Sequence, residues 1–237
     1  MTTTEIIQEI RSYCTANADT ERLQKSQRFF KEEFVGYGLS APQVYSKVKE
    51  MLKRGDLELK AIQEAVPVLM KDRMFEEISM GLLLLDGLWK QFTPETFHTI
   101  NNWFSFSITN WAHADTLGML ILPKFLDKKI LEMNDFKPWL NSQFKFQRRC
   151  VPVTLIKHMK KTRQVMPSIL FVEKLMTDPE REVHQGMGWF LREAWKINSS
   201  EVEPFLEKWK DTAPRLIIQY ACEKMTAENK LRFKRAK

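Results

Sequence analysis

Apolar residues recur along this chain at intervals of three and four positions, the spacing that lines one face of an α-helix. Glycine and proline stand where such segments should stop or start, as Gly38 does after the second segment and Pro94 at the start of the sixth. No sustained strand-like alternation is present. The pattern predicts an all-α protein, with helices at residues 3–16, 20–35, 42–54, 58–71, 74–91, 94–103, 107–123, 135–142, 146–160, 167–176, 180–197, 201–210 and 213–225.

Short connections between these segments are typical of antiparallel helix pairs. Two architectures fit, a compact helical globule and a superhelical stack of HEAT-like pairs, and periodicity alone does not choose between them. No low-complexity stretch or long polar linker interrupts the chain. We therefore expect a single domain over residues 1–237, ending in a basic tail at about 228–237.

The 237-residue chain carries a formal net charge of +7. This surplus fits a polyanionic partner better than an acidic protein, although a generic basic protein would look the same. The four histidines and the three cysteines, Cys14, Cys150 and Cys222, show no metal-ligand spacing, and we expect reduced thiols, no metal and no cofactor. The start lacks a secretory signal pattern, and the most apolar run, Met80–Leu85, is too short to cross a membrane, so we expect a cytoplasmic protein.

If residues 107–123 form one helix, Asp115 falls in an otherwise apolar stripe with Trp111 at its edge. The other members of the stripe are Ile108, Ala112, Met119 and Leu122. Burying a carboxylate without a partner is costly, so Asp115 either pairs with or caps a neighbouring element, or it serves a ligand. His113 points about 160° away from Asp115 around the helix and is interpreted as structural or solvent-facing.

In residues 180–197 the large indole of Trp189 departs from the apolar stripe of its helix. That stripe consists of Val183, Met187, Phe190, Ala194 and Ile197, whereas Trp189 falls beside Gln185, Arg192 and Lys196. The neighbouring Gly186 and Gly188 permit close approach, either of another helix or of a sugar-phosphate backbone.

Residues 146–163 carry the densest basic surface in the interior of the chain. On a helix, Arg149, Lys157 and Lys160 would cluster on one side, opposite an apolar face. The apolar face would consist of Val151, Leu155 and Met159. Such a run is either a solvated face or a phosphate-binding surface. The candidate DNA-binding residues are Arg149, Arg148, Lys157, Lys160 and, beside Trp189, Arg192.

Four short motifs in this order resemble those of the AlkD family of HEAT-repeat DNA glycosylases. The Trp111-x-x-x-Asp115 segment resembles the catalytic segment of the family, and Phe146-Gln-Arg-Arg149 resembles its Trp-x-x-Arg segment. Gly188-Trp189-Phe-Leu-Arg-Glu193 and Gly38-Leu-Ser-Ala-Pro42 resemble two further family motifs. The similarity spans residues 20–225.

The resemblance implies a superhelical α-solenoid of HEAT-like antiparallel helix pairs with a basic concave surface. It also implies that Trp111, Asp115 and Trp189 are catalytic, with Arg149 beside them, and that the substrate is double-stranded DNA containing N3- or N7-alkylated purines. The base would be released without flipping and without a cofactor, by a protein that we expect to be monomeric.

Two departures from the family pattern affect one residue. Phe146 replaces a tryptophan, and Pro152 follows Arg149 closely, so Arg148 is an alternative to Arg149. Two other functions stay open: a non-catalytic binder of DNA structures on the same fold, and a protein-interaction scaffold.

Overall fold

The computed structural model describes residues 1–29, 34–106 and 108–235. Within these ranges the chain is helical throughout and contains no strand. It divides into two compact units, Met1–Thr116 and Leu117–Lys237. Whether these two units form the single domain expected over residues 1–237 stays a prediction.

In its described residues, the first unit contains seven α-helices and one short 3-10 turn at Trp89–Gln91. The α-helices are α1 (Thr3–Ala16), α2 (Thr20–Gln27), α3 (Ala41–Lys53), α4 (Leu59–Lys71), α5 (Phe75–Gly87), α6 (Pro94–Trp103) and α7 (Trp111–Thr116). Helix α5 is central, because it packs against α3, α4 and α7, and α1 covers α4. The core of the first unit includes the fully buried side chains of Ile10, Ile62, Leu69, Met80 and Leu82.

The second unit begins with a π-helical turn, Leu117–Ile121. Its α-helices are α8 (Leu122–Asp127), α9 (Lys145–Thr162), α10 (Val165–Val172), α11 (Arg181–Ile197), α12 (Ser199–Trp209), α13 (Arg215–Ala221) and α14 (Ala227–Arg232). Two 3-10 segments, Met133–Asn141 and Glu173–Thr177, connect them. Helix α11 forms the centre of this unit and packs against α9 on one side and α13 on the other.

The turn before α3 shows how a short motif determines local structure. Gly38 has φ +79°, and a Cβ there would lie 2.1 Å from the carbonyl oxygen of Asp19, so only glycine fits. The buried carboxylate of Glu76 accepts hydrogen bonds from the backbone N–H groups of Tyr37, Gly38 and Leu39 at 2.8, 2.8 and 3.0 Å. The Ser40 side chain then caps α3. The turn is thereby attached to α5.

The all-α fold of helix pairs predicted from the sequence is confirmed, with several local differences. Helix α2 ends at Gln27 instead of residue 35, although residues 30–33 lie outside the described part. The helix predicted at residues 135–142 is a 3-10 helix at Met133–Asn141 instead of an α-helix. The tail expected at about 228–237 is largely helical as α14, with residues 236 and 237 outside the described part. Pro152 does not end α9, which continues to Thr162.

Candidate functional site

Helix α7 carries Trp111 and Asp115 four residues apart on one face, and both side chains are half-buried. The stripe expected to contain Asp115 is buried only at its two ends, Ile108 and Leu122, whereas Ala112, Asp115 and Met119 are half-buried. The positions buried here are His113, Ala114, Leu117, Gly118 and Ile121. The difference arises because the helix begins only at Trp111, and because the π-helical turn at Leu117–Ile121 shifts the register by one residue. Residue 107, which the prediction included, lies outside the described part.

The imidazole of His113 is buried and fixed by hydrogen bonds within the first unit. Its Nδ1 accepts from Asn110 Nδ2 at 2.8 Å, and its Nε2 lies 3.2 Å from the Phe75 carbonyl oxygen and 3.3 Å from Ser79 Oγ. These partners assign a neutral ring protonated at Nε2. Burial lowers the pKa of His113 from 6.5 to about 4, so the ring is uncharged at neutral pH. The structural interpretation of His113 is confirmed, and the solvent-facing one is wrong.

The His113 contacts determine how α7 presents its other face. Phe75 is the first residue of α5, so the hydrogen bond from His113 attaches α7 to the start of α5. Trp111 and Asp115 each lie two residues from His113, and their side chains therefore project about 160° away from it around the helix. The indole and the carboxylate thus occupy the side of α7 opposite its anchored side.

Asn110 is also part of this arrangement, although the sequence pattern did not predict a role for it. Its side-chain oxygen accepts from the His113 backbone N–H at 3.0 Å, and its amide group holds the His113 ring. The signal was available, because an asparagine immediately before a helix is a favoured capping residue. Ser79 and Phe75 carry no comparable signal, since their role depends on how α5 packs against α7.

On α11, Trp189 lies opposite the buried face of the helix, as the pattern predicted. Four of the five stripe residues (Val183, Met187, Phe190 and Ala194) are fully buried, whereas Trp189 is half-buried. Within the described ranges, no hydrogen bond or ring contact involves the Trp189 indole. Partly buried indole N–H groups usually have a hydrogen-bond partner. Because no described residue provides one here, we expect the partner of this N–H to be water or a ligand.

The two glycines beside Trp189 serve helix packing. A Cβ at Gly188 would lie 2.4 Å from the Cβ of Tyr220 on α13, and one at Gly186 would lie 3.1 Å from Arg149 Cγ on α9. Of the two alternatives left by the sequence, close approach of neighbouring helices is therefore the one observed. The glycines let α11 sit against α9 and α13, and this contact fixes the position of the helix that carries Trp189.

The two candidate arginines of α9 make contacts inside the second unit. Arg148 forms a two-pronged ion pair with Asp178 at 2.6 and 3.1 Å and donates to the Ser142 carbonyl oxygen at 2.7 Å. Arg149 is 5% exposed and donates to the Glu182 carbonyl oxygen at 2.6 Å. Both guanidinium groups thus hold neighbouring segments together, and neither belongs to an exposed cluster.

The expected separation of α9 into a basic and an apolar side is wrong for its first half. Residues from Phe146 to Ile156 are buried on nearly every side, Arg148 being the exception. This is because α9 packs against α8, α10 and α11 and the 3-10 segment before it. Only Lys157 and Lys160 of the predicted cluster reach solvent, beyond the point where these neighbours enclose the helix.

The remaining basic candidates, exposed Lys157 and Lys160 and half-buried Arg192, differ in what they contact. Lys160 pairs with Glu193 at 2.7 Å, and Arg192 pairs with Glu223. Burial opposes ionisation of Glu193, but hydrogen bonds from Lys160 and Lys196 outweigh it and lower the pKa of Glu193 to about 2. Lys157, in contrast, makes no ion pair with any residue that the structure describes.

The described residues offer no metal-binding group, no disulfide bond and no candidate membrane-spanning helix. They contain no group of three or more His, Cys, Asp or Glu side chains arranged to hold a metal ion. The cysteines Cys14, Cys150 and Cys222 are all buried and unbonded to one another. No helix in this part of the chain is both long enough and apolar enough to span a membrane.

Comparisons with known proteins relate this arrangement to a family. A predicted DNA alkylation repair enzyme from Enterococcus faecalis has a similar structure, with a TM-score of 0.75 at 16% identity over 89% of this chain and 97% of that one. AlkD2 from Streptococcus mutans matches with a TM-score of 0.60 at 17% identity over 92% of this chain and 100% of that one. At these identities the similarity establishes the fold, which is the helical repeat fold of AlkD-type proteins.

No curated protein matches the chain. The family model described as DNA alkylation repair enzyme, however, matches residues 10–225, which include all four sequence motifs and every candidate site residue. Because this match covers most of the chain, the protein belongs to the DNA alkylation repair enzyme family.

Proposed function

We propose that this protein is a DNA glycosylase that hydrolyses the N-glycosidic bond of cationic N3- or N7-alkylated purines in double-stranded DNA, without flipping the base. The observation that carries the proposal is the half-buried face of α7, on which Trp111 and Asp115 lie one turn apart. Membership in the repair family supports DNA as the substrate. The anchoring of His113 supports a preorganised carboxylate, because α7 is held before any ligand arrives.

The proposed reaction suits a site that contains a carboxylate and aromatic rings. An N3- or N7-alkylated purine already carries a positive charge, so it leaves as a neutral base when the bond from C1′ to nitrogen breaks. The bonding electrons go to the departing nitrogen, and positive charge develops on the deoxyribose. Water then adds to C1′ and releases a proton to solvent. No general acid and no cofactor are required for these steps.

Asp115 is proposed to stabilise the developing sugar cation and to orient the attacking water. Trp111 and Trp189 are proposed to face this cation with the electron-rich surfaces of their rings. Such cation–π interactions contribute about 0.5 to 2 kcal/mol each. They favour the transition state over the intact nucleotide, because the charge on the sugar grows as the bond breaks.

The proposal also assigns the contacts with the DNA backbone. Lys157 is exposed and makes no ion pair within the described residues, so it is the first candidate for a phosphate contact. Lys160 and Arg192 would exchange the carboxylates of Glu193 and Glu223 for phosphates. Arg148 and Arg149 remain candidates, but their contacts with Asp178 and Glu182 favour a supporting role. We place this activity in a cytoplasmic monomer.

A base-release assay on methylated duplex DNA tests the proposal. The wild type should release 3-methyladenine or 7-methylguanine faster than the spontaneous rate. Asp115→Asn should lower the release rate by roughly a hundredfold or more, the effect of removing a preorganised charge, and should leave DNA affinity nearly unchanged. Asp56→Asn is the matched control, because the Asp56 side chain is exposed and makes no hydrogen bond with any described residue, while its backbone carbonyl accepts one from the Met1 amino group.

Two outcomes would contradict the enzyme assignment. Salt-dependent binding of duplex DNA without base release would identify a non-catalytic binder of DNA structures. A lack of both release and DNA binding would leave a protein-interaction scaffold.

A further inference from the structure

The last three helices of the second unit enclose a cavity of about 650 Å³ near the C-terminal end of the described chain. Five basic side chains line it: Lys210 from the end of α12, Arg215 from α13, and Lys230, Lys234 and Arg235 from α14 and the residues after it. All of its lining residues belong to this unit. None of its lining residues belongs to α7 or α11, the helices that carry the proposed catalytic residues.

The cavity has a marked excess of positive charge. Among the described residues, Glu223 is the one carboxylate that lines it, and it is paired with Arg192 and Lys224, neither of which lines the cavity. These two hydrogen bonds lower the pKa of Glu223 and keep it ionised. Its negative charge is thus already balanced from outside, and it does not offset the charge of the lining lysines and arginines.

The basic side chains also retain unused hydrogen-bond donors. Lys230 donates to the Glu223 carbonyl oxygen at 3.0 Å and Arg235 to the Ala213 carbonyl oxygen at 2.6 Å, and neither contact neutralises a charge. The side chains of Arg215 and Lys234 are exposed and make no hydrogen bond or ion pair with any described residue. Lys210 is the exception, because it pairs with Glu207.

The floor of the cavity is apolar. It is formed by the largely buried side chains of Ile218, Cys222 and Phe233. Burial raises the pKa of the Cys222 thiol to about 11, so this residue adds no negative charge at neutral pH. The cavity therefore combines a rim rich in cationic donors with an uncharged floor.

We propose that this cavity binds a phosphate group carrying at least two negative charges, presented by a nucleotide. The charge excess requires more than one negative charge, and arginine and lysine together match the oxygens of a phosphate better than those of a single carboxylate. The volume falls within the range of small-molecule sites and admits a mononucleotide. The same chemistry is offered by a free nucleoside diphosphate and by the 5′-phosphate at the end of a DNA strand.

Titration calorimetry on the full chain at low salt tests the site, with inorganic pyrophosphate and ADP as probes. Both should bind the wild type, and more weakly as sodium chloride is added. Arg215→Gln combined with Lys234→Gln should weaken binding at least about tenfold, the loss expected for two charge-assisted contacts. Because both side chains are exposed and make no hydrogen bond or ion pair with the described residues, the thermal midpoint should stay unchanged, and each single variant provides a second test.

The control is Lys53→Gln combined with Lys137→Gln, which changes the net charge equally at two exposed residues outside the cavity. This control should bind both probes as the wild type does. A short duplex that carries or lacks 5′-phosphates distinguishes the two sources of the phosphate. If the wild type prefers the phosphorylated duplex and the cavity variant loses this preference, the ligand is a DNA end. If ADP binds and no such preference exists, the ligand is a free nucleotide. The proposal would be overturned if the wild type bound neither pyrophosphate nor ADP and had equal affinity for the two duplexes, or if the control weakened binding as much as the cavity variant does.

Discussion

The ring of His113 stacks on the ring of Phe75, with 4.9 Å between centroids and 27° between planes, and its Nε2 donates to the carbonyl oxygen of the same residue. One histidine thus contacts both the side chain and the backbone at the start of α5. The side-chain amide of Asn110 donates to the other ring nitrogen, Nδ1. The consequence is a rigid attachment for α7, whose opposite face carries the candidate catalytic pair Trp111 and Asp115.

His113 should make the stability of the protein depend on pH. Its folded-state pKa of about 4 lies below the ordinary value of 6.5, so between these values the unfolded chain binds a proton that the folded chain does not. The stabilisation is complete above pH 6.5 and is lost as the pH falls toward 4. Between pH 8 and pH 5, this one residue should lower the free energy of unfolding by about 2 kcal/mol.

Urea unfolding of the wild type and of His113→Gln at pH 8 and pH 5 measures this contribution. The variant should be less stable at pH 8, because the buried hydrogen bonds change, and its stability should fall by about 2 kcal/mol less on going to pH 5. His98→Gln is the control, since His98 is exposed and its replacement should retain the wild-type dependence. An identical decrease in the wild type and in His113→Gln would show that His113 does not titrate as argued.

Replacing two glycines that both have positive φ should distinguish the cost of backbone strain from the cost of a steric collision. Gly38 has φ +79° and Gly55 has φ +74°, but a Cβ at Gly38 would collide with the Asp19 carbonyl oxygen, whereas one at Gly55 would meet no atom within 4 Å. Gly55→Ala should therefore cost only about 1 kcal/mol of unfolding free energy. Gly38→Ala should cost at least about 3 kcal/mol, because the turn bound by Glu76 must move. Equal costs in denaturant unfolding would contradict the collision.

Lys157 and Lys160 should differ in what their removal changes. If Lys157 contacts a phosphate, Lys157→Gln should reduce the salt dependence of duplex binding, the slope of log affinity against log salt, by about 1 and leave stability unaltered. Lys160→Gln should also lower the unfolding free energy, because it removes a partner of the nearly buried Glu193 carboxylate. Lys137→Gln, at an exposed residue elsewhere, should change neither quantity. An unchanged slope for Lys157→Gln would exclude it from the DNA interface.

Local rules predicted those parts of the fold that depend on local chemistry. The prediction of a helix at residues 94–103 agrees with the observed α6, because Thr93 and Pro94 are a capping residue and a helix-starting residue. The buried face of α11 was also predicted, since its apolar residues follow the helical period over about four turns. Trp189 was recognisable for the same reason, as a large indole outside that face.

Features that depend on packing were not predictable from the chain. The π-helical turn after Thr116 changes which residues of the segment are buried, and no residue type announces such a turn. The charged start of α9 is surrounded by neighbouring segments. Arg148 therefore pairs with Asp178, and Arg149 donates to the Glu182 backbone carbonyl. A sequence shows that these arginines need partners, but tertiary structure determines whether the partner is protein or phosphate.

Trp111 and Trp189 should each affect the rate of base release more than the affinity for DNA, if both rings stabilise the sugar cation. Replacing either by leucine removes an interaction of about 0.5 to 2 kcal/mol, so single-turnover release should slow roughly 2- to 30-fold, and the double variant should show about the product of the two factors. Trp195→Leu is a matched control on α11: its indole donates to Glu203, so its loss should lower stability without slowing release. Release at the wild-type rate by Trp189→Leu would remove Trp189 from the reaction, and a loss of DNA affinity equal to the loss of rate would indicate that the indoles bind the ground state instead.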